Sequence, residues 1–176
     1  MTQPSDHTTP DSTNTDDAVR LEITVDAPID TAFTVFTTGI NSWWPREHHI
    51  GSGTFDEAVV EPRVGGRLLT RETDGTECPW GTVLVWQPPT HFAFSWDIAL
   101  DWTAETDPQR SSRVEVTFTA LDDTHTRVTL VHCDFDKHGP GWQSMRTAVA
   151  SDGGWPALQD NYAKAAAAQS TRVNHT

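Results

Sequence analysis

Tryptophan is the residue type whose abundance points most directly to chemistry in this chain of 176 residues. The tryptophans are Trp43, Trp44, Trp80, Trp86, Trp96, Trp102, Trp142 and Trp155. Because an indole is large, rigid and apolar but carries one N–H donor, a core of this size needs only about one or two of them. The excess predicts an aromatic-walled cavity for an organic ligand. The alternative is a core that uses tryptophan where other proteins use leucine.

One histidine ends a strand face that is otherwise apolar. Alternation in the strand predicted for residues 126–132 places Val128, Leu130 and His132 on one side of the sheet. An imidazole titrates near neutral pH, so His132 could hydrogen-bond a ligand or act as its general base. The alternative is a structural histidine bonded to a backbone carbonyl, because no nucleophile stands at a recognisable spacing from it.

Aromatic residues with the same parity occupy two neighbouring strands. Phe92, Phe94 and Trp96 form one row, and Phe118 lies on the inward side of a later strand. We therefore expect these rings to face the interior that His132 faces.

Two charged residues on either side of a Gly-Gly turn are candidate polar anchors for a ligand. Glu61 precedes the turn and Arg67 follows it, and a guanidinium or carboxylate can fix a polar group through paired hydrogen bonds. The alternative is a solvated row of ion pairs on the outer face of the sheet. The glycines and a bulge would blur the strand register, so both interpretations stay open.

Metal ligation and cofactor binding receive little support from the motifs. His132, Asp134, Asp136 and His138 alternate as ligands of a metal could, but the segment also has the composition of a solvated turn. The sequence contains no Gly-x-Ser-x-Gly elbow, phosphate-binding loop or dinucleotide fingerprint. We predict neither a metal nor a cofactor.

A glycine-rich segment follows the first tryptophan pair. His48 and His49 precede Gly51 and Gly53, and such a segment could form a mobile lid at a cavity mouth. A flexible exposed loop is the alternative.

Composition and charge restrict the classes of partner. A net charge of −13 argues against nucleic-acid binding, which depends on clustered Lys and Arg. No apolar run approaches the about 20 residues of a membrane span, and the N-terminus lacks a signal-peptide pattern. We therefore predict a soluble, cytoplasmic protein that does not bind a membrane. In that compartment its two cysteines are expected to be free thiols. A homodimer stays open, because aromatic residues at a sheet edge would serve a dimer as well as a pocket.

Periodicity divides the chain into a short helical part, a run of strands and a C-terminal helix. A strand at residues 20–26 precedes a helix that Pro28 begins, and Trp155-Pro156 begins the last helix. The polar residues 1–18 and 169–176 are predicted to be disordered tails around one domain at 19–168. Further strands are predicted at 57–61, 67–73, 79–86, 91–97, 113–121 and 126–132. An antiparallel sheet curved around one amphipathic helix buries all these faces, which makes the fold class α+β.

Several short sequence motifs, in their order along the chain, resemble those of a known family. They are Val25-Asp-Ala-Pro28, Trp43-Trp44-Pro45, Glu61-Pro-Arg-Val-Gly-Gly-Arg67, Asp74-Gly75, Phe94-Ser-Trp96, Thr126-Arg-Val-Thr-Leu-Val-His132 and Gly154-Trp155-Pro156. The chain is similar to the START-like, or helix-grip (SRPBCC), superfamily, in the branch related to the Activator of Hsp90 ATPase C-terminal domain. The resemblance implies a sheet of about six or seven strands around a long C-terminal helix, two short helices after the first strand, and a deep cavity that holds hydrophobic molecules in many members.

We therefore predict that the chain binds a small hydrophobic or aromatic molecule between the sheet and the C-terminal helix. Two alternatives are a cyclase- or lyase-type enzyme that uses His132 with a cavity carboxylate, and a protein-interaction module like the Hsp90 activators. The candidate ligand-binding residues are Trp44, Glu61, Arg67, Trp80, Phe94, Trp96, Trp102, Phe118, Leu130, His132 and Trp142.

Overall fold

A computed structural model describes residues 17–173 of the chain. The predicted N-terminal tail lies outside these residues, except for its last two positions. The strands are β1 (Val19–Val25), β2 (Phe55–Val60), β3 (Arg67–Glu72), β4 (Glu77–Gln87), β5 (His91–Trp96), β6 (Ser112–Ala120) and β7 (Thr126–Cys133). The α-helices are α1 (Ile29–Phe36), α2 (Trp142–Ala150) and α3 (Trp155–Val173). Short 3-10 turns lie at Ile40–Ser42, Arg46–His48, Pro108–Arg110 and Phe135–His138.

The strands of the described chain form one curved antiparallel sheet of seven strands, in the order β1-β7-β6-β5-β4-β3-β2. Consecutive strands from β2 to β7 are neighbours, and turns connect them, apart from β5 and β6, which the longer segment 97–111 joins. The segment from α1 to Arg46–His48 carries the chain from β1 at one edge to β2 at the other. This arrangement confirms the predicted α+β helix-grip fold.

Helix α1 forms because its apolar residues recur at helical spacing. Pro28 occupies the N-cap, and the residues that α1 buries include Ala32, Phe33 and Phe36. The Phe33 and Phe36 rings contact Phe118 on β6 at centroid distances of 5.2 and 5.9 Å. The helix therefore covers part of the concave face of the sheet.

Helix α3 lies along the same concave face. Trp155, Leu158, Tyr162 and Ala166 are buried and follow the three- and four-residue spacing of one helical side. The Tyr162 hydroxyl donates to the backbone carbonyl of Ala32 at 2.7 Å, which ties α3 to α1 inside the core.

The last helix is longer than the sequence predicted. Helix α3 continues to Val173, whereas a disordered tail was expected from residue 169 onward. The segment 169–173 includes neither glycine nor proline, the two residues that most often end a helix. The helix, already stabilised by packing of its earlier turns, therefore continues through this segment. No helix in the part of the chain that the structure describes is long and apolar enough to cross a membrane.

Candidate functional site

A cavity of about 510 Å³ opens between the sheet, helices α2 and α3, and the segment that precedes β2. We call residues 44–53 of that segment the mouth loop. The loop contributes Trp44, Glu47, His48, His49 and Ile50 to the lining, and α2 contributes Ala148 and Val149. The volume lies within the range of about 300–1,000 Å³ that small-molecule sites occupy.

Four indoles form the apolar wall of this cavity. Trp44, Trp96, Trp102 and Trp155 come from the mouth loop, the end of β5, the loop after it and the start of α3. Trp96 and Trp155 pack at a centroid distance of 5.8 Å. Trp102 is 46% exposed, so its ring borders the opening.

Trp80 supports the wall from behind. Its ring stacks on Trp44 with centroids 4.6 Å apart and an interplanar angle of 16°, and it meets Trp96 edge-on at 5.7 Å. These contacts restrict the movement of the wall rings, which lowers the entropy cost of binding a ligand against them.

The indole nitrogens of this cluster are poorly satisfied. Nε1 of Trp44, Trp80 and Trp96 is buried without a hydrogen-bond partner among the described residues. Trp43, in contrast, donates its N–H to the Val35 carbonyl at 2.8 Å. An unsatisfied buried donor costs about 1–3 kcal/mol. Two of the three belong to wall residues, so a ligand acceptor would recover that energy if the ring moved to bring its N–H toward the cavity.

His132 lies behind the wall, in a buried hydrogen-bond chain. Trp155 Nε1 donates to its Nδ1 at 3.1 Å, and its Nε2 is 2.8 Å from Ser112 Oγ. Because an indole N–H can only donate, Nδ1 carries no proton and the ring proton sits on Nε2. Ser112 Oγ then accepts from His132 and donates to His138 Nε2 at 2.7 Å.

Burial holds both imidazoles in the neutral form. Desolvation is the main reason why the pKa of His132 lies well below its usual range, and the nearby His138 lowers it further. Desolvation also lowers the pKa of His138, whose Nδ1 is buried without a partner among the described residues. His132 is 0% exposed and packs against Trp96 and Phe135 at 5.2 and 4.3 Å. Its partners are side chains rather than the backbone carbonyl considered in the sequence analysis.

Glu61 and Arg67 pair with each other at the turn between β2 and β3. The Arg67 guanidinium donates to Glu61 through Nε at 3.0 Å, and the Arg67 backbone N–H donates to the same oxygen at 2.8 Å. Arg67 also reaches Glu77 at 3.4 Å. The side-chain bond from Arg67 is the main reason why the pKa of Glu61 is lowered. Neither residue lines the cavity.

The remaining predicted residues take three kinds of position. Trp44, Trp96 and Trp102 line the cavity, and Trp80 and Phe94 pack behind it. Phe118 and Leu130 lie in the core, with Leu130 beside a separate small apolar gap. Trp142 begins α2 and packs against the core without lining the cavity.

Several lining residues escaped the sequence analysis. The sequence places Trp155 at the start of the last helix but gives no sign that its ring lines the cavity. The only local signal is the preceding pair Gly153 and Gly154, which allows two backbone segments to pack closely. A Cβ at Gly154 would lie 2.3 Å from the Val149 carbonyl oxygen, so only glycine permits this α2–α3 turn. Glu47 and Ala148 carry no local signal of cavity lining.

The mouth loop is fastened to the sheet by one carboxylate. Glu72 Oε1 accepts from the Gly53 backbone N–H at 2.9 Å, lies 3.1 Å from His49 Nε2 and accepts from Cys78 Sγ at 3.5 Å. These contacts, with the Gly53 bond as the largest cause, lower the pKa of Glu72. The far side of His49 is also held, because Nδ1 is 2.7 Å from Thr70 Oγ1.

Comparison with known proteins gives a family and several similar structures. Residues 26–166 match the family model described as Activator of Hsp90 ATPase homolog 1-like protein. The anthrahydroquino-γ-pyrone synthase Txn09, solved in complex with SUM, is 34% identical, and the match covers 84% of this chain and 96% of that chain with a TM-score of 0.60.

More distant structures share the fold. The self-sacrificing resistance protein CalC from Micromonospora echinospora is 27% identical, with 89% of this chain and 97% of that chain covered and a TM-score of 0.61. Protein NE0264 from Nitrosomonas europaea is 14% identical over 86% of this chain and 95% of its own, with a TM-score of 0.61. No curated protein matches the chain.

Proposed function

This chain belongs to the Activator of Hsp90 ATPase homolog 1-like family, and from that premise we propose that it binds a planar aromatic molecule, of the polyketide type, in the tryptophan-walled cavity. Stacking and burial against the indoles supply most of the affinity, and carbonyl or phenol oxygens of the ligand set its orientation.

The observation that carries this proposal is the pair of wall tryptophans with unsatisfied N–H groups. Trp44 and Trp96 both line the cavity, and neither indole nitrogen has a partner among the described residues. A purely aliphatic ligand would leave these donors unpaired. An oxygenated aromatic ring offers a flat face for stacking and acceptors at its edge, so it satisfies both requirements.

One of the similar solved structures supports the same ligand class. Txn09 is named as a synthase of an anthrahydroquino-γ-pyrone, which is a fused aromatic ring system. Because the two chains are 34% identical over most of their lengths, we extend a related class of ligand to this chain. The cavity also favours ligand binding over the interaction-module alternative, because a protein-docking surface requires no interior cavity.

A second candidate function is catalysis on that ligand. Glu47 and His48 both line the mouth of the cavity and offer a carboxylate and an imidazole for proton transfer. They suit this role better than His132, whose ring nitrogens are both bonded inside the protein. The synthase name of Txn09 favours this candidate.

The experiment is a titration of the full chain with 1,8-dihydroxyanthraquinone, followed by quenching of tryptophan fluorescence. We expect saturable quenching with a stoichiometry of one, and weaker affinity in Trp102→Ala. Trp142→Ala is the matched control, because Trp142 lies outside the cavity. Linear quenching that is equal in all variants would contradict the proposal. The mass of the recovered probe separates a binder, which leaves it unchanged, from an enzyme that converts it.

A further inference from the structure

Beneath the mouth loop, we infer that His49, Glu72 and Cys78 form a binding site for a divalent transition metal of the Zn²⁺ class. The three residues come from the loop, the end of β3 and the start of β4. Glu72 and Cys78 flank the β3–β4 turn, and His49 joins them from 23 residues before Glu72. This site is separate from the aromatic cavity but shares the mouth loop with it, because His49 faces both.

The distances between the donor atoms fit a metal. One ligand atom from each residue lies within 4.8 Å of the other two. His49 Nε2 and Glu72 Oε1 are 3.1 Å apart, and Cys78 Sγ and Glu72 Oε1 are 3.5 Å apart. Tetrahedral zinc, with bonds of about 2.0–2.3 Å, places its ligands roughly 3–4 Å from each other. The cluster therefore needs only small side-chain movements to enclose the ion.

The donor set selects the class of metal. An imidazole nitrogen, a carboxylate oxygen and a thiolate sulfur suit Zn²⁺ or a similar borderline ion. Mg²⁺ and Ca²⁺ prefer oxygen ligands alone, so the cysteine disfavours them. Three protein ligands leave a fourth position for water or another group, as in zinc sites that are not fully closed.

The supporting contacts position the ligands. Thr70 Oγ1 lies 2.7 Å from His49 Nδ1, so it can accept the ring proton and leave Nε2 free to ligate. Thr70 and Cys78 are directly paired across β3 and β4, which fixes both on a rigid part of the sheet. Glu72 and His49 have side chains that are only 6% exposed, so water competes weakly for them.

Gly51 keeps the centre of the cluster free of a side chain. A Cβ at this position would lie 2.3 Å from Glu72 Oε1, 2.5 Å from Cys78 Sγ and 2.6 Å from His49 Cε1. Any residue larger than glycine would therefore displace these side-chain ends. The Gly51 main chain thus lies directly against the three candidate ligands, so the inferred ion would sit next to the mouth loop.

Metal binding exchanges protons in a balanced way. In the metal-free protein the Cys78 thiol donates to Glu72. On binding, the metal takes the place of the thiol proton, which is released to solvent. In the metal-free protein His49 Nε2 faces Glu72 Oε1 at 3.1 Å and therefore carries a proton, and on metal binding the ring changes tautomer, so that this proton lies on Nδ1 facing Thr70 Oγ1. No oxidant or reductant takes part.

The test is calorimetric titration of chelator-treated full-length protein with ZnCl₂ in the absence of any aromatic probe. We expect one ion per chain, with affinity reduced at least about 100-fold in Cys78→Ser and His49→Gln, and by about 10–100-fold in Thr70→Val. Cys133→Ser and His48→Gln are matched controls, because both side chains lie outside the cluster. Binding of equal strength in all five variants, or no binding to the wild type, would overturn the proposal.

A second readout covers variants that fail to fold. Co²⁺ added to the wild-type protein is expected to give the intense ultraviolet absorption of a thiolate ligand, and Cys133→Ser is expected to keep it. A Co²⁺ spectrum without that thiolate band would overturn the site even without a folded Cys78 variant. Titration with the anthraquinone probe in the presence of chelator tests the aromatic site alone, so failure of either proposal can be told from failure of the other.

Discussion

Trp155 donates its indole N–H to Nδ1 of His132 across 3.1 Å, and this contact joins the ligand wall to the core of the sheet. Trp155 faces the cavity on one side, while His132 continues inward to Ser112. We interpret His132 as a residue that positions the wall by holding the first turn of α3 against β7.

Protonation of His132 is expected to destabilise the fold. Its pKa lies well below the usual value in the native state, mainly through burial, whereas in the unfolded chain it returns to about 6.5. Below that pH the unfolded state therefore binds more protons, so the free energy of unfolding falls as pH decreases from 7 to 5. The slope contributed by one such group approaches about 1.4 kcal/mol per pH unit.

The measurement is urea denaturation at several pH values for the wild type and His132→Gln. The variant is expected to lose stability less steeply as the pH decreases. His125, whose pKa is raised by Asp122, acts in the opposite direction but is present in both proteins. Parallel pH profiles would contradict the role assigned to His132.

The Tyr162 hydroxyl is expected to contribute measurably to stability. Tyr162→Phe removes its 2.7 Å bond to the Ala32 carbonyl, which should lower the free energy of unfolding by about 1 kcal/mol. Thr171→Val is the control. It also removes a hydroxyl that donates to a backbone carbonyl of α3, that of Ala167, but this bond is exposed to solvent and should contribute less to stability. Equal effects of the two substitutions on the urea midpoint would show that the tie between α1 and α3 is unimportant.

The mouth loop is expected to loosen when Gly51 gains a side chain. A Cβ at Gly51 would lie less than 3 Å from the ends of the Glu72, Cys78 and His49 side chains. In Gly51→Ala these side chains must therefore shift and weaken the bonds that fasten the loop, or the loop itself must move. We expect limited proteolysis to cut the loop faster in this variant. Gly153→Ala is the control, because a Cβ there meets nothing within 4 Å. Unchanged cleavage in Gly51→Ala would refute the tight packing of the loop.

Local patterns predicted most of the fold but only part of the site. Strand alternation located all the strands to within a few residues, and the apolar spacing after Pro28 located α1. Such patterns indicate which face of a strand or helix is buried, and this can be read from neighbouring residues alone. Alternation could not predict that Glu61 pairs with Arg67, because the Gly-Gly turn between them leaves the register of β2 against β3 undetermined by the sequence.

Contacts between distant segments explain the rest. Trp155 joins the wall only because Gly154 lets α3 turn closely against the end of α2. Glu72 and Cys78 meet across the β3–β4 turn, but His49 joins them only when the mouth loop folds back over β3, and their spacing in the sequence follows no known ligand motif.

Filling the cavity tests its role as the aromatic site most directly. Ala148 lines the cavity, while Ala150 on the same helix is exposed, so Ala148→Phe and Ala150→Phe form a matched pair. Calorimetric titration with 1,8-dihydroxyanthraquinone is expected to show at least about tenfold weaker binding for Ala148→Phe, because a phenyl ring occupies the ligand volume. Ala150→Phe is expected to bind like the wild type. Equal affinity in the two variants would contradict the assignment of the ligand to this cavity.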